Sequence, residues 1–157
     1  MKTATVKELK EELIKCSDKE LVELCLRLAK FKKENKEFLT YLLFEASDEQ
    51  GYIINVKNEV DSQFAAINTR SYYFIKKGVR KILRNIKKYI RYSKKKETEV
   101  ELLLYFCLKL KNFSPSIQRN RVLKNLYQRQ LELIAKAVSS LHEDLQYDYE
   151  IELEELR

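Results

Sequence analysis

The stretch SYYFIKKGVRKILRNIKKYIRY, residues 71–92, decides how this chain folds. Successive residues of a helix stand about 100° apart. On that wheel Ile75, Val79, Ile82, Leu83, Ile86, Tyr89 and Ile90 fall in one arc, while Lys76, Lys77, Arg80, Lys81, Arg84, Lys87, Lys88 and Arg91 fall in another that does not overlap it. The period predicts an amphipathic helix from Thr69 or Ser71 to Tyr92, apolar inward and cationic outward. Tyr73 projects within the cationic face, and Phe74 and Tyr92 border it. A helix of this kind needs other helices to cover its apolar side.

The charge of the whole protein is organised around the same stretch. Residues 62–96 contain twelve bases and no acid, against thirteen acids and eleven bases before them and eleven acids and eight bases after them. The formal net charge of +7 is therefore one local feature. Two glycines and one proline in 157 residues are too few for the turns of a sheet protein, so the fold class is all-α. The length suits a domain with a real core. Cys16, Cys25 and Cys107 are odd in number and lack CxxC or Cys/His spacing, which predicts neither a disulfide framework nor a zinc site and fits a cytoplasmic protein. Charges interrupt the N-terminal residues where a signal peptide needs an apolar run, and no segment is apolar for long enough to span a membrane.

About seven helices are predicted. The first starts after Thr5. The second has Ser17 and Glu20 at capping-box spacing, followed by Leu21, Leu24, Cys25, Leu28 and Phe31. A third, capped by Asn35, is apolar on most sides through Phe38, Leu39, Tyr41, Leu42, Leu43 and Phe44, which predicts burial at the centre of the core. A fourth opens at Asp48, and the basic stretch is the fifth. The sixth, from Thr98, is again apolar nearly all round. The seventh begins at Ser114-Pro115, where serine caps and proline fits the first helical position, and one apolar stripe runs from Leu123 to Leu145.

Residues 28–44 and 86–106 are loose copies: an amphipathic helix leads into an apolar one in each. That favours stacked antiparallel hairpins, which resemble HEAT-type helical arrays in style without matching a family motif, or an irregular helical bundle. The expected organisation is a single helical domain over residues 1–146 and an acidic C-terminal tail over 147–157. In the tail Tyr147, Tyr149, Ile151 and Leu153 alternate with acids as a strand would, while Leu145, Tyr149, Leu153 and Leu156 also share a helical spacing.

No catalytic motif is present, and the expected function is binding without enzymatic activity, cofactor or metal. His142 is the sole histidine and its neighbouring acids are on other faces, so it makes no metal site. With no base nearby, the three cysteines are expected in the core rather than as nucleophiles. Glu37 and Glu99 stand at helix starts, where the dipole favours acids. Gly51 and Gly78 are too isolated for a phosphate loop, and Gly78 suits close helix packing. The candidate site is Lys76, Lys77, Arg80, Lys81, Arg84, Lys87, Lys88 and Arg91, with Tyr73 and Tyr92 placed to stack on an unpaired base. The candidate partners are RNA or DNA. The alternatives are an acidic protein or the anionic surface of a membrane, pairing with the acidic tail within the chain or, as self-association, across a second copy, or a face that is merely solvated.

Overall fold

The computed structural model describes all of residues 1–157 and is entirely helical, with eight α-helices: α1 (Val6–Ile14), α2 (Asp18–Phe31), α3 (Lys33–Thr40), α4 (Glu49–Ala65), α5 (Tyr72–Ser93), α6 (Lys96–Lys111), α7 (Arg121–Val138) and α8 (Glu143–Leu156). A π-helical turn over Tyr41–Glu45 follows α3, and a 3-10 turn over Ile117–Arg119 precedes α7. The chain divides into two compact units, Met1–Phe44 and Glu45–Arg157.

The first unit is three short helices with little core. Thr5 and Ser17 form complete capping boxes with Glu8 and Glu20, so α1 and α2 start where the sequence predicts. No residue of α1 or α3 is buried, and Ala29 is the one buried residue of α2, which packs on α3. The expectation of a deeply buried third helix is overturned here: Leu42, Leu43 and Phe44 are all exposed. Three short helices cannot wrap a helix on every side, however apolar it is. Its cap also differs. Lys32 occupies the cap position without a side-chain bond, and the Asn35 side chain instead donates to the Leu28 carbonyl at 2.8 Å.

The second unit holds the core, and α6 is its axis. Thr98, Val100, Leu102, Leu103, Leu104, Phe106, Cys107 and Leu110 are all buried, because α4, α5, α7 and α8 each pack on α6. Helix α4 contributes Ile53, Val56, Val60 and Phe64, and the Phe64 ring stands 5.8 Å from Phe106 and 6.0 Å from Phe113. Polar side chains brace the same pair of helices. Lys57 bonds Glu101 at 2.9 Å, Lys109 bonds Asp61 at 2.9 Å, and the Tyr105 hydroxyl donates to Asp61 at 2.7 Å. At the start of α6, Glu49 of α4 accepts from the hydroxyls of Ser93 and Thr98 and pairs with Lys95 at 3.2 Å.

Three expectations about the C-terminal part change. Helix α7 begins at Arg121, capped by the Asn120 side chain, which accepts from the N–H groups of Val122 and Leu123; Ser114-Pro115 lies in the connection before it as a cis peptide. The long last helix is two. The Ser139 and Ser140 hydroxyls bond back to the Lys136 and Ala137 carbonyls, and His142 caps α8. The boundary expected at 146/147 falls inside α8, and residues 147–157 are not a loose tail: Leu153 and Leu156 are buried against α6 and α7, and the Tyr127 hydroxyl donates to the Leu156 carbonyl at 2.6 Å. Of the two spacings in this segment, the helical one sets the inward face.

Burial pushes the Tyr105, Tyr127 and Tyr149 phenols up to about 12, with the Asp61 carboxylate adding to the effect at Tyr105 and the Glu101 charge at Tyr149. A phenol whose folded pKa stands above its unfolded value contributes stability that is intact below the unfolded pKa and lost as the pH climbs through the folded one. The chain should therefore lose stability between about pH 10 and about 12, and some phenolate absorbance should appear only with loss of helical circular dichroism; titration of all ten tyrosines in one step near pH 10 would contradict this. Packing makes a second prediction. Phe106→Ala should cost about 3–5 kcal/mol in urea denaturation, and Leu43→Ala less than about 0.5 kcal/mol.

Candidate functional site

Helix α5 is 22 residues long, or about 33 Å, and begins after Ser71 as the sequence predicts. Ile75, Val79, Ile82, Leu83 and Ile86 are buried, whereas Lys77, Arg80, Lys81, Arg84, Lys87 and Arg91 are exposed and Lys76 and Lys88 half-buried. The helix ends at Lys94, whose φ of 59° is left-handed and whose N–H closes on the Ile90 carbonyl at 2.9 Å. Gly78 faces α4's C-terminal connection: a Cβ there would stand 2.9 Å from the Ile67 side chain, which is the close packing expected of it.

The cationic face is more structured than a single stripe. Arg80, Arg84, Lys87 and Arg91 rim a groove of about 620 Å³ whose floor is Leu83, Ile90, Leu103 and Leu133. The one acid in that groove, Glu99, is held by Lys96 at 2.7 Å. Lys77 and Lys81 turn to the other side and line a smaller hollow of about 280 Å³ with Phe74, Gly78 and Ile67. The face thus straddles a ridge, with a row of cations on either slope.

Lys76, Lys77, Arg80, Lys81, Arg84, Lys87 and Arg91 have no carboxylate within 4.0 Å, while Lys88 stacks over the Tyr89 ring at 4.9 Å from its centroid. The acids of α8 do not reach α5. Glu154 pairs with Arg157, and the Glu155 backbone carbonyl accepts from Lys111 at 2.6 Å. Pairing of the stripe with the acidic end of its own chain is thus absent from the structure.

The two aromatic candidates separate. Tyr73 is 66% exposed beside Phe74, the rings edge to face at 5.3 Å, and both stand at the N-terminal end of the cationic rows. Tyr92 is half-buried, its ring 6.1 Å from that of Tyr89, so it offers no open face comparable to Tyr73. Tyr72 and Tyr89, on the inner arc, are used structurally: Tyr72 donates to the Ser116 carbonyl at 2.8 Å and Tyr89 to the Glu59 carboxylate at 2.9 Å.

Residues of α7 extend the surface. Leu133 lies in the groove floor, and Arg129 and Lys136, one turn before and after it, are both exposed. No sequence signal singles them out, because their relevance depends on α7 lying across α6 beside α5. The cysteines also divide. Cys107 is buried, its thiol pushed up to about 12 by burial, but Cys25 is exposed and Cys16 half-buried, contrary to a core role for all three, because α1 and α2 bury so little.

Comparison with protein-family models, with curated proteins and with solved structures finds no match in any of the three.

The unpaired rows carry an energetic signature. Arg84 has Arg80 and Lys81 one turn before it and Lys87 and Lys88 one turn after it, all like charges at three- or four-residue spacing. Arg84→Glu converts four repulsions into attractions and should raise stability by about 1 kcal/mol in low salt. The gain should shrink at about 1 M salt, where screening acts within about 3 Å. A destabilised Arg84→Glu protein in thermal or urea melts would show that these charges are already neutralised.

Proposed function

We propose that this chain is a non-enzymatic, cytoplasmic nucleic-acid-binding module whose contact surface is the outer face of α5. The observation that carries the reading is the set of seven cations on the outer side of one helix with no carboxylate within 4.0 Å, four of which rim a groove whose one acid, Glu99, is held by Lys96. Such a row is unfavourable by itself and favourable only beside an external polyanion, from which it releases condensed counterions. From Lys76 to Arg91 the rows run about 22 Å at 1.5 Å per residue, the length of roughly six backbone phosphates at about 3.4 Å each.

An unpaired strand suits the face better than a duplex. The exposed Tyr73 ring, backed by Phe74, stands at one end of the rows, where a base can stack while the backbone follows the cations. The groove floor of Leu83, Ile90, Leu103 and Leu133 gives apolar contact to sugars or base faces.

Titration with RNA, single-stranded DNA and duplex DNA tests this. Neutralising about five phosphates of a single strand predicts a log–log salt slope near −3.5, hence about a hundredfold loss of affinity between about 50 and about 200 mM salt. Arg80→Glu/Arg84→Glu should reduce affinity at least about tenfold and flatten the slope by about two. Tyr73→Ala should weaken single-strand binding by about 1–3 kcal/mol and leave duplex binding unchanged. Absence of binding at low salt, or binding indifferent to the α5 double variant, would overturn the proposal.

A further inference from the structure

We propose that the groove between α7 and α8 takes the cationic face of α5 from a second copy of this chain, giving head-to-tail, salt-sensitive self-association. The groove has a volume of about 610 Å³ and an apolar lining that includes Val138 and Leu153. Tyr147 and Ile151, one turn apart on α8, stand at its lip, 69% and 48% exposed. Glu150 and Glu154 flank them on the same face of the helix, Glu154 paired with Arg157, the one base in the groove, and Glu150 without a basic partner. This is an amphipathic face that its own chain leaves uncovered.

Charge complementarity names the occupant. After Ser139 the chain has seven acids and one arginine, against twelve bases and no acid over residues 62–96. The acids that line the groove are Glu150, Glu154 and Glu155, opposite in sign to the cations of residues 76–91.

Within one chain the match cannot be made. Burial of Leu153 and Leu156 and the bond from Tyr127 to the Leu156 carbonyl hold α8 on α6 and α7, and no acid of α8 pairs with α5. The two surfaces are different patches of one unit, so their pairing is heterologous and leaves a free patch of each kind at the ends. The contact stands independently of the nucleic-acid reading, although a bound polyanion would compete for α5.

Sedimentation velocity of the nuclease-treated full-length protein, over a concentration series in low and high salt, tests this. The mass should rise with concentration in low salt and return to that of the monomer in high salt. Arg80→Glu/Arg84→Glu and Glu150→Lys/Glu154→Lys should each weaken association by about tenfold or more. Mixing the two variants should restore it, since each then presents the charge the other lacks. If a reversed variant loses helical circular dichroism, Glu150→Gln/Glu154→Gln decides, with about threefold weakening expected. A wild-type monomer at every concentration, association abolished by nuclease, variants that associate like wild type, or a mixture that fails to reassemble would each overturn the proposal.

Discussion

The burial of α6 on most of its circumference is the constraint on which the second unit depends. A helix that buries Val100, Leu102, Leu103, Leu104, Phe106, Cys107 and Leu110 keeps only the narrow side of Glu97, Glu101, Tyr105 and Leu108 toward water, and four other helices close around the rest. Each of those helices then needs only one apolar stripe, and its opposite face is released for other uses. For α5 the released face is cationic. The outward chemistry of the protein is in this sense a by-product of how its core is closed.

The inner half of that arrangement was legible in the sequence and the outer half only partly. Capping identifies α1 and α2 and the 3.6-residue period identifies α5, because Thr5, Ser17 and that spacing act locally, whereas α6, expected from Thr98, starts two residues earlier at Lys96 without a side-chain cap. The break at residues 139–142 was not legible, since Ile134, Ala137, Leu141 and Leu145 keep helical spacing straight across it. What ends α7 is a pair of serine hydroxyls returning to carbonyls and His142 capping the next helix, and these compete only weakly with the stripe on paper. Residues 38–44 and 100–110 have similar composition but different burial: Tyr41 is the one buried residue of the first, against seven in the second. Composition states what a helix would bury, and the number of neighbouring helices states what it does bury.

The candidate site shows the same division. The ten residues taken from the sequence all lie on α5, and the pattern put the cations outward correctly because one-helix geometry suffices for that. It could not show that Arg80, Arg84, Lys87 and Arg91 rim one groove while Lys77 and Lys81 line another, nor that Leu133 of α7 forms part of the floor. Those are facts about which helices are adjacent. Tyr92, at the border of the wheel, is half-buried with its ring 6.1 Å from that of Tyr89, a degree of cover that the wheel alone does not give.

The separation of charge within the second unit is held by apolar contacts. If α8 were loose, its seven acids would be free to settle on α5 and both surfaces would vanish into ion pairs worth about 0–1 kcal/mol each. Burying Leu153 and Leu156 stabilises the docked position by about 1.5–3 kcal/mol per side chain, which outweighs several such exposed pairs. The Tyr127 bond to the Leu156 carbonyl fixes the end of the helix as well. The core therefore keeps the opposite charges apart, and the repulsion along α5 is left to be relieved from outside the chain.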